Sequence, residues 1–228
     1  MNNIKKYIIE KHKGSRKTYH YFYGDIPVYI KDTPPAPVNI ERVLNKVEAT
    51  VPRDLIRHVE LDMLIIGHIP EFEERQINAL YKDGAIYVTD AQSSNDDMVD
   101  DIVHEIAHCF EEAYMQELFG DMALENEFVE KRKKVYNILL SLGHDVPPQY
   151  FLDVDYDEDF DMFLYTGVGY PTLVTRTYQL FTSPYAITSL REYFAKGFEE
   201  YYLGDKKRLK EISPVLYNKI VHMVENGN

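Results

Sequence analysis

The stretch DMVDDIVHEIAHCFEEAYM, residues 97–115, decides how the rest of the chain is interpreted. On an α-helix, at about 100° per residue, His104 and His108 lie one turn apart on the same face. Four acidic residues lie within about a quarter-turn of these histidines: Asp97, Asp101, Glu111 and Glu112. The opposite face is apolar and consists of Met98, Ile102, Ile106, Cys109, Phe110 and Ala113. The pattern predicts a helix that packs one face in a core and presents two imidazoles among carboxylates on the other.

At the centre of this stretch, residues 104–108 follow the HExxH pattern, with Glu105 beside the first histidine. Two histidines one turn apart can bind one tetrahedral zinc ion, and the glutamate between them can reach a water at that ion. In a chain of this length and composition, the expected number of accidental matches to the pattern is roughly 0.02. The alternative interpretation is a solvated helix face on which two histidines lie by chance.

A zinc site of this kind needs a third protein ligand from elsewhere in the chain. No histidine follows His108 at the short spacing of the HExxHxxGxxH pattern, which favours a carboxylate on a second helix. The helix predicted over residues 189–202 carries Glu192 near its N-terminal end. Glu192 also follows Ser189 at the spacing of a capping box, so spacing alone leaves metal ligand and helix cap as equal alternatives.

The composition describes an acidic protein with ample material for a core. The 228 residues carry 25 basic and 38 acidic side chains, a formal net charge of −13, and 45% of them are hydrophobic. A negative chain repels nucleic acid and anionic membrane surfaces, so we expect neither as a partner. The single cysteine, Cys109, excludes an internal disulfide and is predicted to be a small core residue.

No targeting or membrane-spanning segment is predicted. Charges interrupt the N-terminal residues too early for the apolar region of a secretory signal, and no run of about 18 apolar residues exists. We therefore expect a soluble protein that is cytoplasmic, or that is exported by a route without a signal peptide.

The predicted organisation is a basic and helical N-terminal segment, residues 1–60, that belongs to the same domain as the remainder. Residues 61–228 form the predicted catalytic domain, with an insert at about 121–180. Within it, Asp83-Gly84 between β-prone runs predicts a hairpin over residues 79–89. The second strand of this hairpin, residues 85–89, is the predicted sheet edge on which an extended peptide would pair.

Residues 153–161 hold six carboxylates and no basic side chain. They lack the glycine at the sixth position and the glutamate at the twelfth that define an EF-hand loop. A solvated acidic loop is the favoured interpretation, and a calcium site or a contact with a basic substrate remains open.

Separate pieces of the sequence together resemble a known family. The HExxH helix followed by Glu192-Tyr193-Phe194-Ala195-x-x-Phe198 is similar to the catalytic domain of the anthrax lethal factor family, the ATLF-like domain, which includes the Pro-Pro endopeptidases. The similarity covers residues 79–205, in three separated pieces. It implies a gluzincin with one Zn²⁺ per chain, bound by His104, His108 and Glu192. It also implies that Tyr185, seven residues before Glu192, corresponds to the family's catalytic tyrosine.

The resemblance further implies an α+β fold of zincin type. A short mixed sheet with an edge strand would lie over two central helices, one with the HExxH residues and one with the glutamate. The chain departs from the family where Lys196 and Gly197 replace a Glu-Ala pair, and where 83 residues separate His108 from Glu192. The substrate preference of the family is therefore not transferred to this chain.

These observations predict a zinc metalloendopeptidase that acts on a protein or peptide. Glu105 would accept the proton of the attacking water and pass it to the leaving amine, and Tyr185 would donate a hydrogen bond to the oxyanion. Asp101 or Glu112 would orient a ligand histidine, or both are acids of the solvated helix surface. The alternatives are a non-catalytic zincin-like binding protein, such as a virion- or toxin-associated component that keeps the metal site, and a zinc hydrolase of non-peptide amides. Nothing in the sequence identifies the oligomeric state.

Overall fold

A mixed sheet organises the first part of the chain. The computed structural model describes residues 20–226 apart from 33, 36, 71 and 73–76, so residues 1–19 of the predicted N-terminal segment, residues 1–60, lie outside the described residues. Within them the sheet has five strands: β1 (His20–Phe22), β2 (Ile26–Ile30), β3 (Met63–Ile66), β4 (Ala79–Lys82) and β5 (Ala85–Val88). Their order is β1-β2-β3-β5-β4. The predicted α+β class with a small mixed sheet is confirmed.

Strand β3 lies at the centre of the sheet and pairs in parallel with both of its neighbours, β2 and β5. All four of its residues are buried, as expected for a continuous apolar run in a parallel strand. The outer strands β1 and β4 pair antiparallel with β2 and β5.

The predicted hairpin joins β4 to β5. Asp83 and Gly84 have φ values of 51° and 70°, so both central residues of the turn are left-handed, as a type I′ turn requires. Because β4 covers one side of β5 and β3 covers the other, the prediction that residues 85–89 form an edge strand is wrong. The edge strands of the described sheet are β1 and β4, and the hairpin that the sequence predicted itself places β4 outside β5.

Helices make up most of the remaining described chain. The α-helices are α1 (Ile40–Thr50), α2 (Arg53–Ile56), α3 (Asn95–Ala113), α4 (Met115–Phe119), α5 (Ala123–Ser141), α6 (Glu158–Met162), α7 (Tyr170–Thr177), α8 (Leu190–Leu203), α9 (Lys206–Ile212) and α10 (Pro214–Asn226). Shorter turns of 3₁₀-helix lie at Pro148–Phe151 and Tyr185–Ile187, and a π-helical stretch lies at Phe163–Gly169. No helix in the described ranges is both long and apolar enough to cross a membrane.

The chain divides into two compact units. One comprises the described residues of Met1–Arg53 together with Glu60–Glu105, and it contains the whole sheet and α1. The other comprises Asp54–Val59 and the described residues from Ile106 onward, and it contains α4 to α10. The boundary falls inside α3, which is one continuous helix.

The acidic run is more ordered than a solvated loop. Its second half forms α6, which Asp157 caps by accepting a hydrogen bond from the backbone N–H of Phe160 at 2.8 Å. Buried Arg132 in α5 donates to the backbone carbonyls of Tyr150 and Asp153. The loop prediction is therefore wrong for this half, which is a helix with an N-cap, whereas Arg132 binds the backbone at Asp153, where the run begins.

Candidate metal centre

Helix α3 presents both histidines of the HExxH pattern. Ser94 accepts a hydrogen bond from the backbone N–H of Asp97 at 3.1 Å and so fixes the start of the helix. The predicted apolar face is buried as far as Phe110, and the helix ends at Ala113. Two turns before that end, His104 is half-buried and His108 is buried. One continuous helix therefore fixes the separation of the two imidazoles.

At the start of α8, the backbone N–H and the carboxylate of Glu192 have different partners. Its backbone N–H donates to Ser189 Oγ at 3.1 Å, so Ser189 is the N-cap of the helix. Its carboxylate points elsewhere, since Oε1 lies 3.7 Å from Nε2 of His108. The two alternatives that the spacing left open are therefore compatible: the main chain of residue 192 takes part in the cap while its side chain faces a histidine.

His104, His108 and Glu192 form a group that could hold a metal ion. Each offers one ligand atom, and these three atoms all lie within 4.8 Å of one another. Two atoms bound at roughly 2.0–2.1 Å to one tetrahedral ion lie ~3.4 Å apart, close to the 3.7 Å between His108 and Glu192. The donor set of two imidazole nitrogens and one carboxylate therefore fits a small divalent cation.

A carboxylate that the sequence analysis did not select contacts His108. Glu111 Oε2 lies 2.9 Å from His108 Nδ1, and only 4% of Glu111 is exposed. Because a carboxylate accepts, Nδ1 carries the proton and Nε2 is the nitrogen that faces Glu192. The i,i+3 spacing of His108 and Glu111 on one helical face is the signal that could have found this contact.

The two acids predicted to orient a histidine have other surroundings. Glu112 is exposed, so Glu111 rather than Glu112 takes that place on His108. Asp101 accepts a hydrogen bond from Gln92 Nε2 at 2.9 Å. Its proposed role toward His104 stays a prediction.

The remaining HExxH residue, Glu105, is tied to the sheet. It is 6% exposed, and its Oε2 accepts a hydrogen bond from the backbone N–H of Tyr81 at 2.5 Å. Tyr81 belongs to β4, so this N–H points away from β5, at the outer edge of the sheet. The side chain of Glu105 therefore has a fixed position next to His104 and faces the edge strand.

Tyr185 lies in the 3₁₀ turn that leads into α8. Burial and then the charge of Glu192 raise the pKa of Tyr185 far above its ordinary value, with smaller contributions from Tyr156 and Asp161. The phenol therefore keeps its proton across the physiological range and can act as a hydrogen-bond donor. The electrostatic effect of Glu192 also indicates that the two side chains are neighbours.

A group of tyrosines around Asp161 was not foreseen from the sequence. Tyr156 and Tyr170 donate their hydroxyl protons to the two oxygens of Asp161, at 2.9 and 3.2 Å. Burial and Asp161 raise the pKa of both phenols, and Glu192 adds to the effect on Tyr156. No spacing rule links these residues, because the π-helical stretch and the start of α7 bring them together.

Comparison of the chain with protein-family models, with curated proteins and with solved structures finds no match. The function must therefore be argued from the site itself.

Proposed function

We propose that this protein is a zinc-dependent endopeptidase of the gluzincin type, with a zincin-like fold similar to that of the lethal factor family. The observation that carries the proposal is the convergence of His104, His108 and Glu192 on one point. Glu105 follows directly on the first of these residues, where a general base for hydrolysis is needed.

The donor set favours a catalytic zinc site over a structural one. Structural zinc sites are closed by four protein ligands, whereas catalytic sites use three and keep one position open. The described residues supply three ligands, two imidazoles and a carboxylate. A zinc ion bound there supplies Lewis-acid chemistry, which lowers the pKa of water and polarises a carbonyl group.

Glu105 is proposed as the general base. Its carboxylate is buried, and the hydrogen bond that it accepts from the N–H of Tyr81 fixes its position. It would take a proton from the attacking water and deliver it to the nitrogen of the leaving amine.

Tyr185 is proposed to stabilise the oxyanion of the tetrahedral intermediate. Its raised pKa keeps the phenol protonated, and a neutral donor near developing negative charge lowers the barrier. One such donor contributes about 3 kcal/mol in comparable sites.

The edge of β4 is proposed as the surface on which the peptide binds, in place of β5. Within the antiparallel pair of β4 and β5, Tyr81 lies opposite Ile86 and Ala79 lies opposite Val88. The backbone groups of Tyr81 and Ala79 therefore face outward. Glu105 accepts the N–H of Tyr81, so an extended peptide would pair with the carbonyl of Tyr81 and the backbone groups of Ala79.

The test compares the wild type with Glu105→Gln in a peptide-library cleavage screen, with and without a chelator. We expect chelator-sensitive cleavage by the wild type, retention of zinc in the variant, and a rate at least about 100-fold lower because the base is lost. Glu112→Gln, which changes an exposed carboxylate on the same helix, is the matched control and should keep full activity.

Full activity of Glu105→Gln would exclude this mechanism. Zinc binding by the wild type without cleavage of any library peptide would favour a binding protein that keeps the metal site.

A further inference from the structure

Arg191 binds the same carboxylate that contacts His108. Its Nε donates to both oxygens of Glu111, at 2.9 and 3.0 Å. The two partners differ in exposure, since 6% of the Glu111 side chain is exposed against 63% of the Arg191 side chain. A continuous chain of contacts therefore runs from the surface, through a buried carboxylate, to a histidine of the metal group.

We infer that Arg191 and Glu111 form a positioning pair, which holds His108 with Nε2 directed at the metal and fixes α8 against α3 at the level of Glu192. This inference rests on the proposed metal site. It adds two residues to that site that neither the HExxH pattern nor the resemblance assigns.

The contact with Glu111 fixes the orientation of the His108 ring. A ligand histidine that donates its second N–H to a carboxylate has a fixed tautomer and ring orientation, and it is a more basic ligand. The 2.9 Å contact from Nδ1 to Glu111 places the acceptor on the nitrogen that lies away from Glu192. Glu111 can therefore orient the ring without occupying the metal position.

The ion pair with Arg191 compensates the buried charge of Glu111. A buried carboxylate is costly unless it is paired and hydrogen-bonded, and Glu111 has His108 and Arg191 as partners. Nε of Arg191 donates to both oxygens of Glu111, and the positive charge of the guanidinium favours the ionised carboxylate beside His108.

Both members of the ion pair lie close in the sequence to a proposed metal ligand. Arg191 directly precedes Glu192, and Glu111 lies three residues after His108. One ion pair therefore joins the two helices beside the two ligands they carry. Because 63% of the Arg191 side chain is exposed, the ion pair is expected to contribute little to stability by itself, and its main effect is expected on metal affinity.

The experiment measures the zinc dissociation constant of the full chain by competition with a chromophoric chelator. For Glu111→Gln, which keeps the shape of the side chain but removes its charge, we expect an affinity about 10- to 100-fold weaker. For Arg191→Ala we expect a smaller loss, about 3- to 10-fold, because Arg191 acts through Glu111. Arg191→Lys keeps the charge and should recover part of that loss.

The matched control is Glu200→Gln. Glu200, in the same helix α8, pairs at 3.1 Å with Arg208 of α9, and both side chains are largely buried. It lies eight residues after Glu192, ~12 Å along the helix. This variant should lower the melting temperature without changing zinc affinity.

A second readout separates positioning from folding. Cobalt(II) in the site gives d–d absorption that depends on ligand geometry, so Glu111→Gln and Arg191→Ala should change this spectrum while Glu200→Gln should not. Unchanged zinc affinity and cobalt spectra in both variants, whatever their melting temperatures, would overturn the inference and leave a purely structural ion pair. Should Glu111→Gln fail to fold, Arg191→Ala decides alone, since its side chain is mostly exposed.

The outcomes also separate this inference from the proposed function. Zinc-dependent cleavage with unchanged affinity in the variants would refute the pair and keep the peptidase. Weakened affinity in the variants without any cleavage by the wild type would refute the peptidase and keep the pair. A wild type that binds no zinc would refute both.

Discussion

Helix α8 contacts two charged networks, and consecutive residues reach them. Arg191 and Glu192 meet the α3 side chains Glu111 and His108, whereas Tyr193 is fully buried and meets Lys131 and Glu127 from α5. The separation of adjacent side chains by about 100° around a helix explains how one turn supplies both networks. Their geometries differ in a way that separates a metal centre from a structural network.

The network around Tyr193 is closed by protein groups. Lys131 Nζ donates to Tyr193 Oη at 2.6 Å and to Ser213 Oγ at 2.5 Å, and the Tyr193 hydroxyl donates to Glu127 at 2.8 Å. Glu127 also accepts the backbone N–H groups of Val215 and Leu216 at the start of α10. Every distance is that of a hydrogen bond, so this network joins three helices.

The network around Glu192 has a different spacing. His108 Nε2 and Glu192 Oε1 are 3.7 Å apart, which is longer than a hydrogen bond but suited to two ligands of one ion. The comparison teaches that burial and charge alone do not identify a functional site. The separation between donor atoms distinguishes the two networks.

The largest expected effect is a loss of metal binding when Glu192 is changed, with no such loss when a residue of the network around Tyr193 is changed. Removal of a direct ligand should weaken binding more than the about 10- to 100-fold typical of residues that support a ligand, so we expect at least about 1,000-fold for Glu192→Ala. Metal content and zinc affinity are the measurements. Tyr193→Phe should keep zinc affinity unchanged. Equal zinc stoichiometry in Glu192→Ala and Tyr193→Phe would contradict the assignment of the metal to the network around Glu192.

The next largest effect concerns the stability of the network around Tyr193 and depends on pH. Burial lowers the pKa of Lys131 to about 7 in the folded protein, against 10.5 for the ordinary side chain. Between these values the unfolded chain binds more protons, so stability should rise as pH increases from about 7 to 10, and it should be lowest below pH 7. The contribution of this one group is roughly 3–5 kcal/mol.

Chemical unfolding at several pH values tests this expectation. Lys131→Met should remove that rise with pH, whereas Lys133→Met, which changes an exposed lysine of the same helix, should leave it intact. Identical slopes for the wild type and Lys131→Met would show that Lys131 is charged in the folded state.

The sequence predicted the parts of this comparison that depend on local periodicity. The apolar and polar faces of α3, the Asp83-Gly84 hairpin and the capping role of Ser189 all follow from residues a few positions apart. The helix that carries Glu192 was also predictable from its repeating apolar residues, whereas the grouping of Glu192 with His104 and His108 came from the family resemblance and not from spacing.

The rest depends on contacts between residues far apart in the chain. Glu111 and Arg191 are 80 positions apart, and Tyr193 meets Lys131 across 62 positions. No periodicity in either helix indicates which residue of the other it will meet. The edge-strand error has the same origin: β3, far before β5 in the sequence, covers the side of β5 that local reasoning left open.

A smaller effect separates two tyrosines near α8. Tyr185→Phe removes the proposed oxyanion donor, so we expect kcat to fall about 100-fold, or about 3 kcal/mol, with little change in melting temperature. Tyr193→Phe should do the opposite, because Tyr193 bonds Lys131 and Glu127 rather than substrate. Steady-state kinetics and thermal unfolding of both variants make the measurement, and equal kcat values for Tyr185→Phe and the wild type would exclude the donor role.

The smallest effect distinguishes the main chain of residue 192 from its side chain. Ser189 is buried and accepts the backbone N–H of Glu192, so Ser189→Ala should cost about 1 kcal/mol through loss of the N-cap. The hydroxyl of Ser189 accepts the backbone N–H of Glu192, whereas the carboxylate of Glu192 lies 3.7 Å from Nε2 of His108, so loss of the cap is expected to leave the carboxylate in place. Zinc affinity should therefore fall by less than about threefold. A larger loss, near that of Glu192→Ala, would mean that the cap itself orients the ligand and that the two roles of residue 192 are coupled.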